Sequence, residues 1–203
     1  MPTSLSELIN QLRSDIEGVA ATSVPLWHPL GFVSCEVFRH PSGVVARVHH
    51  WPRNARRTKS PDWPIHTHSY ALQSRVLEGR VRDIQYSSSP LGLRRVYSVE
   101  YMEGGSRIVK TDKMVNLEAV VDVVREAGSE YSVPRGAFHQ THVPKSESAT
   151  TFVLLADHSN VAPEVIGTDE EPTYPYERVP YDSSLFWSAV RRALGCSPTP
   201  PCT

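Results

Sequence analysis

Two short histidine-bearing stretches constrain this chain more than any other feature. The first runs Pro64-Ile65-His66-Thr67-His68 and, after ten intervening residues, reaches Gly79. The second runs from Gly128 through Pro134 and Gly136 to His139. On an extended strand, residues two apart point to the same face, so His66 and His68 present two imidazoles together. A third imidazole, His139, brought in from a distant strand, completes a set of three donors on one face of a metal. The remaining positions are left for water, substrate or oxygen. The glycines and Pro134 let tight turns place the ligands.

The rest of the chain reads as short alternating segments between Gly and Pro turns. Phe32 to Arg39 and Val44 to Trp51 flank a turn at Pro41-Ser42-Gly43. Trp63 to His68 carries the first two ligands. Ser74 to Glu78, Arg80 to Tyr86, Arg94 to Met102, Ser106 to Lys110, Val115 to Arg125 and Glu130 to Val133 follow. Phe138 to Val143 carries the third His, and Thr150 to Asp157 closes the series. Many short strands predict a sandwich or barrel. Two helices flank them. Ser4 to Gly18 has Leu5, Leu8, Ile9, Leu12 and Ile16 at helical steps, with Ser4 or Ser6 as cap. Ser183 to Leu194 has Leu185, Phe186, Val190 and Leu194 as its apolar stripe, Asp182 or Ser183 as cap and Gly195 as stop. Between them, Pro163 to Pro180 is rich in Pro, Glu and Tyr and is expected to wrap the core as an arm. No internal repeat is present.

The two histidine stretches, in this order, resemble the two signature motifs of the cupin superfamily. The resemblance covers about residues 25 to 160. It implies an all-β double-stranded β-helix, a cupin or jelly-roll barrel, with an N-terminal and a C-terminal helix. Residues 1–195 are expected to form one domain, and 196–203 a flexible tail. It also implies that His66, His68 and His139 bind one divalent metal. The pattern departs from the superfamily at informative places. Its usual fourth ligand is a Glu, but the two positions where spacing puts it hold Leu72 and Gln73. Ser60 stands at the opening Gly, and Val143 at the Asn expected after the third His. A three-His set without the Glu resembles the thiol and diketone-cleaving dioxygenases of the superfamily. The thiol enzymes typically use a Tyr late in the barrel, and Thr150 to Asn160 contains none.

Four further residues are candidates for contact with substrate. Arg47, His49 and Trp51 share one face of their strand, opposite Val44, Ala46 and Val48. By analogy with cupin oxygenases, Arg47 would hold a substrate anion by a bidentate pair. His49 is a candidate polar group on the same face. Tyr70 follows the histidine pair at the expected barrel mouth, and Gln73 offers a carbonyl. His142, three residues after His139, falls on the opposite strand face and is not counted as a ligand. His158 ends a strand, lacks any motif and is read as a surface or hydrogen-bond-satisfied residue.

Composition excludes several classes of function. A formal net charge of -1 argues against general nucleic-acid binding. The basic run Arg53 to Lys59 is local, read either as a solvated loop or as a lid that attracts anions. No apolar run of membrane-spanning length and no secretory leader is present. Cys35, Cys196 and Cys202 do not form a disulfide framework, so a cytoplasmic location is expected. The expected partners are a small-molecule substrate and dioxygen, with no nucleic acid, no membrane and scope for a homodimer. Iron(II) is the expected metal; nickel, manganese, zinc or copper also suit imidazole donors, and no organic cofactor is expected. The function read from this is an iron(II) dioxygenase or oxygenase acting on a small polar metabolite. The alternatives are a non-redox metal cupin, acting as an isomerase or lyase, and a ligand-binding or regulatory cupin without turnover.

Overall fold

The computed structural model describes residues 4–168 and 171–196. The tail beyond 196, with Cys202, lies outside them. The N-terminal helical segment is two helices, α1 (Leu5–Ser14) and α2 (Ile16–Thr22), separated at Asp15. A capping box starts α1. The Ser4 hydroxyl accepts from the Glu7 N–H at 3.2 Å, and Glu7 Oε2 accepts from the Ser4 N–H at 2.8 Å. Such a cap contributes about 1 kcal/mol. At the other end α3 (Ser183–Leu194) is capped by Asp182 and stopped by Gly195 in the left-handed region at φ +69°. Its buried face is Phe186, Trp187, Ala189, Val190 and Leu194. Leu185, expected in that stripe, is 58% exposed. Trp187 takes the place beside Phe186.

Among the described residues eleven strands make two sheets. The first holds β1 (Leu26–Trp27), β2 (Val33–Arg39), β3 (Val45–Trp51), β4 (Ala71–Glu78), β7 (Glu130–Val133) and β9 (Ala149–Ala156), in the order β1-β2-β3-β9-β4-β7. Its pairs are all antiparallel. The second holds β5 (Arg80–Met102), β6 (Gly105–Glu126), β8 (Phe138–His142), β10 (Glu164–Gly167) and β11 (Thr173–Glu177). Here β5 and β6 form one long hairpin, with β8 and β10 on β5 and β11 on β6.

The first sheet is covered on both faces, which explains the near-continuous apolar run of β9. Phe152 and Leu154 face α1 and α3 with Ala46 and Val48. Val153 and Leu155 face inward with Val45, Trp51, Leu72 and Val76. The strand period of two therefore feeds two separate cores. Inward-facing Val81 of β5 joins the second of these, so the two sheets meet across it. The sheets remain two hydrogen-bonded units, an arrangement that is jelly-roll-like rather than a barrel closed strand to strand.

Three expectations need correction. The ligand-bearing stretch Trp63 to His68 is extended chain with one isolated bridge position at His66, not a strand. Pro64 has no N–H to give to a ladder. The four segments between Arg80 and Arg125 fuse into β5 and β6, which run on through register shifts near Gln85, Pro90 and Arg95. The arm from Pro163 to Pro180 is itself partly sheet, since β10 and β11 extend the second sheet beyond the expected core boundary at 160. Among the described residues no helix is long and apolar enough to cross a membrane.

Candidate metal centre

The histidine pair is held from both sides. His66 and His139 exchange backbone hydrogen bonds, His66 N–H to His139 O at 3.0 Å and His139 N–H to His66 O at 2.9 Å. Thr67, between the two ligands, turns the other way. Its N–H donates to Glu164 O and its Oγ1 accepts from the Glu164 N–H, both at 2.8 Å. The alternation expected of a strand thus survives without strand pairing. His139 sits on β8, opposite Gln85 of β5.

Two turn glycines set this geometry. Gly79, at φ +75°, turns β4 into β5, and a side chain there would meet the Ser148 carbonyl. Gly136, also at φ +75°, donates its N–H to His68 O at 3.0 Å. It thereby joins the turn before β8 to the HxH stretch.

The three imidazoles converge. Ring centroids are 4.7 Å apart for His66 and His68, 4.5 Å for His66 and His139, and 4.9 Å for His68 and His139. One ligand atom from each lies within 4.8 Å of the others. His139 Nε2 is 2.9 Å from His68 Nε2. Two imidazole nitrogens at right angles on one metal, each at about 2.1 Å, would be about 3 Å apart. His66 Nδ1 lies 2.8 Å from Pro64 O, so it holds the proton and leaves Nε2 as the free donor. Burial lowers the pKa of all three rings, and the neighbouring imidazoles lower His68 and His139 further. They are neutral at pH 7, the form that binds a metal. The donor set therefore fits a divalent transition metal. Among the described residues no Asp or Glu joins the cluster.

A cavity of about 450 Å³ opens on His66 and His68. Arg47 lines it from β3. Its Nη2 is 3.6 Å from Glu36 Oε2, and its Nε is buried without a partner. Tyr70 also lines it, its ring stacked on His68 at 4.7 Å and 15°. Burial pushes the Tyr70 phenol up to about 12, so it stays protonated and can donate. His49 packs behind, against Phe32 at 4.7 Å, where burial pushes its pKa down to about 3. Gln73 is exposed on the outer side of β4, paired with Leu154 and Ser132, and does not line the cavity. Leu72 lies in the inner core and Val143 packs with it. His142, as expected, stands apart from the cluster, whereas His158 lines the cavity beside Tyr70.

Several cavity residues escaped the sequence reading. Trp27 comes from β1, His28 from the loop before β2, Tyr101 from the hairpin, and Tyr176 and Arg178 from the arm. Leu30 N–H donates to His28 Nδ1 at 3.3 Å, which puts the His28 proton on Nε2. The basic run 53–59 is no free lid. Arg56 donates to the carbonyls of Pro52, Pro144 and Glu147, and Lys59 N–H donates to Pro29 O.

The sequence matches no protein-family profile and no curated protein. Solved structures similar in fold include an oxalate decarboxylase variant from Bacillus subtilis, 11% identical with a TM-score of 0.40. That match covers 69% of this chain and 29% of the other. The Schizosaccharomyces pombe Cnp3 cupin domain is 11% identical with a TM-score of 0.38, over 64% of this chain and 66% of that one. The hydroxypropylphosphonic acid epoxidase of S. wedmorenis is 16% identical with a TM-score of 0.37, over 67% and 56%. In all three the match spans less than two thirds of the other chain. The two-sheet fold is jelly-roll-like, and its three-His cluster is consistent with a transition-metal site.

Proposed function

We propose that the protein is an iron(II)-dependent cupin oxygenase acting on a small, polar, anionic metabolite. The observation that carries this reading is the convergence of three neutral imidazoles, with no carboxylate joining the cluster among the described residues. Three neutral donors leave the charge of a divalent metal uncompensated, which favours an anionic chelating substrate. They also differ from the two-His, one-carboxylate set of the 2-oxoglutarate oxygenases. Iron(II), when bound, supplies the one-electron chemistry that lets dioxygen react with a closed-shell substrate.

The chain's own groups have separable tasks in this reading. His66, His68 and His139 hold the metal through Nε2. Arg47, which lines the cavity, receives the substrate's anionic group through the Nη groups of its guanidinium. Tyr70 keeps its phenolic proton and directs a donor into the cavity. His49, neutral behind the cavity wall, keeps added positive charge away from the metal.

The test is metal analysis of anaerobically purified protein, followed by oxygen uptake with thiols, diketones and amino acids in the absence of 2-oxoglutarate. Iron bound in equimolar amount and substrate-dependent oxygen consumption are expected. Turnover with zinc but not iron would move the protein to the isomerases or lyases. Tight retention of a ligand with no product would make it a binding protein.

A further inference from the structure

The cavity holds more positive charge than one metal-chelating anion requires. Four cationic side chains line it, Arg39, Arg47, Lys59 and Arg178, against one carboxylate, Glu36. Arg39 already takes both oxygens of Glu36, through Nε and Nη2 at 2.7 Å each. Arg47 therefore has only the 3.6 Å contact to a carboxylate that is engaged elsewhere. Lys59 and Arg178 make no side-chain hydrogen bond or ion pair among the described residues. Burial lowers the Lys59 ammonium to about 8, the mark of a cation without a counter-charge. Arg47, Lys59 and Arg178 thus carry charge that no hydrogen-bonded carboxylate neutralises among the described residues.

Arg178 is mounted firmly. Its backbone N–H donates to Gly104 O at 3.0 Å, at the tip of the β5-β6 hairpin. Next to it, Val179 O accepts from the Trp27 N–H at 2.8 Å. Two residues before it, the Tyr176 hydroxyl donates to Trp27 O at 2.9 Å. The arm is fastened on both sides of Arg178, so little ordering remains to be done when a ligand arrives. Arg47 comes from the first sheet and Arg178 from the arm of the second. Tyr101 lies within electrostatic reach of both guanidinium groups.

We infer that the substrate is a small dianion with two separate anionic groups, one held by Arg47 beside the metal and the other by Arg178 on the arm. This rests on the reading of the site given above and adds that the arm sets a preference for two charges over one. A dicarboxylate and a phosphonocarboxylate share the required chemistry.

The test is calorimetric titration of the protein at fixed ionic strength, with its metal and after metal removal. The probes are butyrate, glutarate and 3-phosphonopropionate. Both dianions should bind about tenfold or more tightly than butyrate, the worth of one added charge-assisted contact. The tighter of the two identifies the distal group. Arg178→Gln should remove that advantage while leaving butyrate affinity and metal content unchanged, and Arg178→Lys should restore part of it. The Arg178 effect should persist in metal-free protein, so a failure of the metal reading, seen as no bound metal, is distinguishable from a failure of this one. Equal affinity for butyrate and the dianions, no binding of either dianion, or undiminished dianion binding by Arg178→Gln would overturn the inference.

Discussion

His50 makes the fold acid-sensitive in a way that one substitution can isolate. It lies on the helix-facing side of β3, 5% exposed, its ring edge-on to Phe186 at 6.4 Å. Nδ1 is 3.0 Å from Oγ1 of Thr150, which is wholly buried. Burial pushes the His50 pKa down to about 4, with the Arg192 charge adding to the effect. In the unfolded chain the same ring titrates near 6.5. The folded pKa is the lower one, so between these values the unfolded chain binds a proton that the folded protein refuses. The full stability is present above pH 6.5 and is lost as pH falls toward 4. The loss is about 1.4 kcal/mol per pH unit and about 3 kcal/mol altogether. His50→Gln keeps a side chain that can hydrogen-bond Thr150 but does not titrate. The assay is urea unfolding of metal-free wild type and variant at about pH 7 and about pH 5. Other buried histidines contribute to both proteins and cancel in the difference. Wild type should lose about 2 kcal/mol more than the variant over that interval. Equal losses would refute the claim that His50 is held neutral by its burial.

Four other substitutions have defined outcomes. His68→Ala should weaken metal binding by roughly a hundredfold, since four-ligand zinc sites bind with roughly 10–16 kcal/mol and one ligand is then worth about 3 kcal/mol. Gln73→Ala should leave metal content unchanged, and equal loss in both variants, by metal analysis after dialysis, would make Gln73 a ligand. Arg47→Ala should raise the apparent Kd of the substrate roughly ten- to a hundredfold and spare the metal, an unchanged Kd by titration placing Arg47 outside the binding site. A side chain at Gly105 would run into the Tyr176 carbonyl, so Gly105→Val should cost about 1–3 kcal/mol and open the arm to protease. An unaltered Tm together with unaltered cleavage after residue 171 would show that the hairpin tip does not hold the arm.

The parts of the site legible in the sequence are those fixed by local chemistry. His66 and His68 face one way because extended chain alternates, a rule that holds even where Pro64 prevents a strand. Gly79 and Gly136 mark turns because only glycine accepts their positive φ without strain. The α3 cap and stop were readable for the same reason. The N-terminal helix break at Asp15 was not, because Leu12 and Ile16 keep the apolar stripe in phase across it. Pro90 and Gly92 resemble a turn, yet β5 continues through them as a kinked strand. There the backbone of Val115 approaches so closely that Gly92 has no room for a side chain. His28, Trp27 and Arg178 carry no spacing signal. They reach the cavity through hydrogen bonds between segments about 150 residues apart, such as Tyr176 to Trp27. Long-range placement of this kind leaves no periodic trace.

The mutual backbone hydrogen bonds of His66 and His139 also order events in time. His68 and His139 are 71 positions apart, and closing a loop of that length costs about 4 kcal/mol of chain entropy. A growing chain that has emerged only as far as β6 holds two of the three clustered imidazoles, His66 and His68. The third arrives after the long hairpin has folded back and β8 has docked on β5. Capture of an ion by this cluster would thus be a late event of synthesis and folding, and an ion held there would report that both halves of the molecule have met. Stopped-flow refolding with and without the ion should share the same early phases and differ only in the last.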